Sequence, residues 1–243
     1  MIMEIDDHII KEMTNLFDKE QAAHLSRFFK TGEGQYGEGD RFLGIKVPVT
    51  RSIVKRYKEK VSIEDVSTLI QSEWHEIRLA GFLLLLELYK KTLKNDLDKR
   101  KELVDFYLAN IDKGNNWDLV DLVSQYILGD WILKNPEEEK VLFKLADMEG
   151  YLWHQRVAIV STFALIRNGK FKTTCLIAEK FLDHHLDLIH KATGWMLREI
   201  GKRGGKEELV RFLESNVSKM PRTMLRYAIE KFPEEERKYF MNK

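Results

Sequence analysis

Apolar residues recur at every third and fourth position along most of the chain, the mark of helices with one buried face. In residues 4–30 the stripe is Ile5, Ile9, Met13, Leu16 and Phe17, followed by Leu25, Phe28 and Phe29, which predicts a helical cap. Pro48 marks the next helix entry, with Val49, Ile53, Val54 and Tyr57 as its apolar face. Ser62, with Asp65 three residues on, supplies a capping-box start to the helix after that. The same reading predicts helices over roughly 62–73, 75–91, 97–111, 116–128, 137–148, 153–168, 173–185, 188–203, 206–215 and 220–231. All four prolines, at 48, 136, 221 and 233, fall at boundaries, where a missing N–H is harmless. No stretch alternates like a half-buried strand, so the chain is expected to be all-α.

A longer period overlies the helical one. Arg78, Trp117, Arg156 and Trp195 are spaced 39, 39 and 39 residues apart. Trp74-His75-Glu76-Ile77-Arg78-Leu79-Ala80 is echoed by Trp153-His154-Gln155-Arg156-Val157-Ala158. Two helices per such period is the HEAT unit, so the expectation is one domain over 1–243: an N-terminal cap (1–45), then a helical repeat solenoid (46–243) with a concave face. Within the cap, residues 31–40 carry four glycines and must form a loop or tight reversal. Gly32, Gly34 and Gly37 match G-x-G-x-x-G only on paper, because no strand precedes them and Glu33 and Glu38 would repel a pyrophosphate.

Composition changes the picture little, and charge rather more. With 243 residues, 44% hydrophobic and 33% charged, the chain can bury a sizeable core. A single cysteine, Cys175, excludes an internal disulfide and a cysteine-rich metal site; it is read as packing. The acidic start and the lack of any apolar run of membrane length point to the cytoplasm. The net charge of +1 hides an asymmetry: residues 96–150 hold 7 Lys+Arg against 13 Asp+Glu, and residues 190–243 hold 13 against 8. The C-terminal part should therefore prefer anions.

Candidate chemistry lies on the 39-residue track. Trp117 and Asp121 stand one turn apart on one face of a predicted helix. A lone tryptophan is more often core than ligand, yet the register shared by Trp117 and Trp195 with two arginines favours a binding surface. Arg78 fits better as a capping or solvated residue. Lys191, Trp195, Arg198 and Lys202 fall at i, i+4, i+7 and i+11, three cations with an indole among them; such a stripe suits a nucleic-acid backbone, or is simply a solvated face. Asp183-His184-His185, with His190, could suggest a metal, but the segment is helical by pattern and lacks further carboxylates, so no cofactor is expected.

Taken together, Phe42-Leu43-Gly44-Ile45-Lys46-Val47-Pro48, Asn116-Trp117-Asp118-Leu119-Val120-Asp121, Leu128-Gly129-Asp130, Trp153 to Ile159 and Lys191 to Glu199 carry a resemblance. Nearly the whole chain resembles the AlkD-like family of DNA alkylation repair glycosylases, bacterial HEAT-like repeat proteins that remove N3- and N7-alkylated purines from duplex DNA. The resemblance implies Asp121 as catalytic carboxylate, Trp117 and Trp195 as lesion-flanking rings, and Arg156 with Arg198 as backbone contacts. It leaves open which of Phe28, Phe29 or Tyr36 takes the place of an N-terminal aromatic. An alkylated purine already carries positive charge, so one carboxylate can suffice where glycoside hydrolysis ordinarily uses two. The expected partner is duplex DNA containing alkylated purines, bound by a monomer. Two other readings are a non-catalytic binder of damaged or branched DNA and a protein-interaction scaffold.

Overall fold

The computed structural model describes residues 4–92 and 96–243. Residues 1–3 of the expected cap and 93–95 of the joint between two predicted helices lie outside them. The fold is all-α; among the described residues the only extended pairing is a single bridge between Arg41 and Trp74. No helix among them is long and apolar enough to cross a membrane. The chain forms two compact units, Met1–Val123 and Ser124–Lys243.

The first unit holds α1 (Ile5–Thr14), α2 (Lys19–Phe28), α3 (Val47–Tyr57), α4 (Ile63–Ile70), α5 (His75–Lys91), α6 (Leu97–Ala109) and α7 (Trp117–Asp121). The helical cap expected over 4–30 consists of two helices, because Asp18 takes an extended conformation and its carboxylate accepts the N–H groups of Glu20 and Gln21, starting α2 afresh. The capping box at Ser62 and Asp65 is present. Helix α5 is the axis of this unit. It is buried on nearly all sides, from His75 to Leu86 and at Tyr89, and packs against α3, α4, α6 and α7. A helix apolar all round is a core helix.

The second unit holds α8 (Leu128–Lys134), α9 (Lys140–Ala146), α10 (Leu152–Ser161), α11 (Phe163–Ile166), α12 (Lys172–Lys180), α13 (Asp187–Lys202), α14 (Lys206–Asn216), α15 (Arg222–Ala228) and α16 (Glu234–Met241). Helix α13 is central, packed on α10, α14 and α15. Its crossing with α15 is close. A Cβ on Gly194 would come within 2.5 Å of both the Met224 carbonyl oxygen and the Tyr227 Cβ, so only glycine fits next to Trp195.

Three departures from the periodicity have local causes. The predicted helix over 116–128 stops at Asp121, and a buried turn precedes α8. There Gly129 lies so close to the Ser161 carbonyl that a Cβ would sit 2.3 Å from it. The helix over 153–168 breaks at Thr162, whose hydroxyl turns back to the Ile159 carbonyl at 2.6 Å. Helix α16 was not among the expected elements, although Pro233 followed by Glu234, Glu235 and Glu236 suits a helix start.

Candidate functional site

Helix α7 is one and a half turns long and carries Trp117 at its start and Asp121 at its end. Asn116 is fully buried and caps it, its Oδ1 accepting the Trp117 N–H at 3.0 Å. Both Trp117 and Asp121 line one cavity of about 440 Å3 within the first unit. Its walls are mostly apolar: Leu25, Phe28, Phe29, Phe42, Ile45 and Leu79 are among them, with Asp118, His75, Glu76 and Lys46 as the other charged or polar members.

The aromatic wall is an ordered stack. Trp117 lies on Phe29 (centroids 5.3 Å apart, planes at 22°), Phe29 on Phe42 (5.1 Å, 17°), and Phe42 on His75 (4.4 Å, 23°). Phe28 meets the Trp117 ring edge-on at 6.1 Å and is 57% exposed. Of the N-terminal aromatics that the resemblance left open, Phe28 and Phe29 thus both touch Trp117. Such ring pairs add roughly 0.5–1.5 kcal/mol each beyond the area they bury.

Beneath the stack is a buried ionic network that sequence reasoning missed. His75 Nδ1 lies 2.7 Å from Asp40 Oδ2, and its Nε2 lies 3.0 Å from Asp118 Oδ2. Asp40 Oδ1 in turn accepts from Arg78 Nη2. Burial opposes a charge on the His75 ring, but the two carboxylates outweigh it and push its pKa up to about 9. Burial likewise opposes the Asp40 charge, yet His75 and Arg78 together hold its carboxyl below the ordinary value. The ring is therefore an imidazolium that ties α7, through Asp118, to the loop ending at Asp40. That loop is the glycine-rich stretch. Gly37 packs so tightly on the Phe29 carbonyl and on Asn116 that a Cβ would stand 2.6 and 3.0 Å from them, so the loop seats the start of α7. Glu76, also buried, accepts the backbone N–H groups of Leu43, Gly44 and Ile45 at 2.8, 2.8 and 3.0 Å and fixes the floor of the cavity.

The remaining sequence candidates lie in the second unit. Trp195 is half-buried on α13 and touches Phe163 (5.9 Å, 46°). Arg156 is only 5% exposed, and its Nη1 donates to the Leu188 carbonyl at 2.7 Å. The cations of the α13 stripe have acidic partners: Lys191 with Asp187 (2.6 Å), Lys202 with Glu199 (2.9 Å), and Arg198 with Glu230. Lys191–Asp187 is exposed at both ends and such a pair contributes only about 0–1 kcal/mol, so a phosphate can take the place of that carboxylate. Glu199 is buried but is also held by Arg203 at 3.4 Å, so releasing Lys202 does not strand its charge. Arg78, read as capping or solvated, is buried; besides Asp40 it donates to the carbonyls of Lys113 and Ser72 and to Asn115. Asp183, His184 and His185, expected on a helix, lie beyond the end of α12. His184 Nε2 lies 3.0 Å from Gln155 Oε1; burial, then His185 and His190, push its pKa down to about 4. Burial, with Glu179 and Glu208 nearby, pushes the Cys175 thiol up to about 11, where it is unreactive.

The model of a family described as DNA alkylation repair enzyme matches residues 9–232. The structure is similar to that of a predicted DNA alkylation repair enzyme from Enterococcus faecalis, with a TM-score of 0.69 at 18% sequence identity, over 90% of this chain and 97% of that one. No curated protein sequence matches this chain.

Proposed function

Since the chain belongs to the DNA alkylation repair enzyme family and so has a role in that repair, we propose that it is a glycosylase that hydrolyses the N-glycosidic bond of cationic N3- and N7-alkylated purines in duplex DNA. The observation that carries this reading is the placement of Asp121 and Trp117 at the two ends of one short helix on the wall of one aromatic cavity. A positively charged base is already a good leaving group and needs no general acid. What the reaction lacks is negative charge beside the sugar as it becomes oxocarbenium-like, and a carboxylate held on a rigid helix supplies it without reorganising. Asp121 has that role, and also orients the attacking water. Trp117 offers a ring face to the cationic sugar or base, worth on the order of 1 kcal/mol, and Phe28 stands beside it as the exposed N-terminal aromatic. Trp195 is the second flanking ring. Arg198, Lys191 and Lys202 exchange their carboxylate partners for DNA phosphates. Arg156, turned inward, anchors the start of the helix that carries them.

The test is release of free 7-methylguanine and 3-methyladenine from alkylated duplex DNA by wild type and by Asp121→Asn. A loss of at least about a hundredfold, roughly 2.7 kcal/mol of transition-state stabilisation, is expected in the variant. Salt-sensitive DNA binding without release by wild type would replace this reading with that of a non-catalytic binder. Failure to bind DNA would leave a protein scaffold.

A further inference from the structure

Arg167 follows α11 in the second unit, is exposed, and differs from the cations of the α13 stripe in how it is held. Its guanidinium carbon lies 5.1 Å from the centre of the Tyr126 ring and 5.0 Å from that of Phe163. It has no carboxylate partner among the described residues, whereas Lys191, Arg198 and Lys202 each have one. Phe163 also carries Arg203, whose guanidinium carbon stands 5.0 Å from the ring centre, and it touches Trp195. Arg203 is already engaged by Glu199, at 3.4 Å. Aromatic rings and arginines therefore form one ladder from Tyr126 through Arg167 and Phe163 to Trp195.

A guanidinium seated against aromatic rings keeps its charge, and the rings leave its N–H donors available. No side-chain acceptor among the described residues uses the donors of Arg167. Such an arrangement suits an acceptor that is anionic, has two oxygens at fork spacing and arrives from outside: a phosphodiester. Lysine could supply the charge but not the planar fork of donors.

We propose that Arg167, seated on Tyr126 and Phe163, is a binding site for a DNA backbone phosphate next to Trp195. This rests on reading the chain as a DNA-binding repair enzyme. Removing one phosphate contact lowers the slope of log affinity against log salt by about 0.9 for duplex DNA, whereas a residue that only supports the fold leaves the slope alone.

The experiment is fluorescence-anisotropy titration of a labelled duplex oligonucleotide with the full chain across a salt series. Wild type, Arg167→Gln, Arg167→Lys and Tyr126→Leu are compared, with thermal melting of each as a check on folding. Arg167→Gln should lower the slope by about 0.9 and weaken binding about tenfold near 100 mM salt, with the melting temperature unchanged. Arg167→Lys should keep the slope and bind more weakly than wild type. Tyr126→Leu, which keeps the charge and loses part of the seat, should do the same. Wild-type binding with an unchanged slope in Arg167→Gln overturns the assignment and leaves the glycosylase reading intact. Absence of any duplex binding by wild type overturns both.

Discussion

The imidazolium at His75 makes the first unit, and the helix that carries Trp117 and Asp121, sensitive to alkali. In the unfolded chain the ring titrates near 6.5; in the folded one its pKa is about 9. The folded state thus binds this proton more tightly. The resulting stabilisation is complete below about pH 6.5 and is lost as pH rises through about 9. At about 1.36 kcal/mol per decade of proton affinity, the change is worth about 3 kcal/mol for so buried a ring. It should be measured in two ways: ring titration by heteronuclear NMR, with His75 assigned through a His75→Gln variant, and urea unfolding of the full chain at about pH 6.5, 8 and 9.5. Wild type should lose stability across that window, and His75→Gln should not. At about pH 6.5 the variant should also be less stable than wild type by roughly 3–5 kcal/mol, because Asp40 and Asp118 lose the charge between them, and the gap should narrow by about 3 kcal/mol towards about pH 9.5. A His75 ring titrating at or below 6.5, or an equal loss of stability on raising pH in the variant, would refute the reasoning.

Asp40 carries the opposite dependence. Its carboxyl is held below the ordinary value, so its contribution is present above about pH 3.8 and is lost as pH falls through the lower folded value; Asp40→Asn should flatten the acid limb of the stability profile. Phe29→Ala removes the middle ring between Trp117 and Phe42 and should cost roughly 3–5 kcal/mol in urea unfolding, with a blue- or red-shifted Trp117 emission; an unchanged spectrum and midpoint would contradict the stack. Gly194→Val puts side-chain atoms where the Met224 carbonyl and Tyr227 already lie, and should destabilise by about 1–3 kcal/mol or more and lower base release through displacement of Trp195; a neutral result would mean that α13 and α15 do not cross so closely.

The pairing of Trp117 with Asp121 was legible in the sequence because it is local: i and i+4 on a helix share a face whatever else the chain does. The network that seats that helix was not. Asp40 and His75 are 35 residues apart, and His75 and Asp118 are 43 apart. No periodicity relates a glycine-rich loop to a helix start. The helix boundaries show the same division. Leu119, Val120, Val123, Ile127 and Leu128 keep a helical spacing through 121–128, so nothing local announces that α7 ends at Asp121. The break comes with the close approach of Gly129 to Ser161, which is tertiary. Helix α16 was missed for the converse reason: only Phe240 is buried on it, and one anchor makes no period.

The 39-residue period itself has a physical basis that residue type alone did not disclose. Its four positions divide into two pairs, one in each unit: Arg78 with Trp117, and Arg156 with Trp195. In the first unit Arg78 donates to the Lys113 carbonyl and to Asn115, just before α7 begins at Trp117. In the second, Arg156 donates to the Leu188 carbonyl, in the first turn of the helix that carries Trp195. Both arginines are buried, and both bind backbone at the start of the helix that carries the tryptophan of their own unit. An arginine suits this work because its guanidinium has several donors, and a carbonyl oxygen, with two lone pairs, can accept one of them whether it lies in the joint before a helix or in the first turn. The period therefore marks a repeated device, an arginine on one helix fixing where the next tryptophan-bearing helix begins. Repetition of residue type at a fixed spacing picked out these four positions. For Arg78, read as capping or solvated, the structure has carbonyl contacts without the exposure, and residue type gave no sign that Arg156 is buried with its Nη1 on the Leu188 carbonyl.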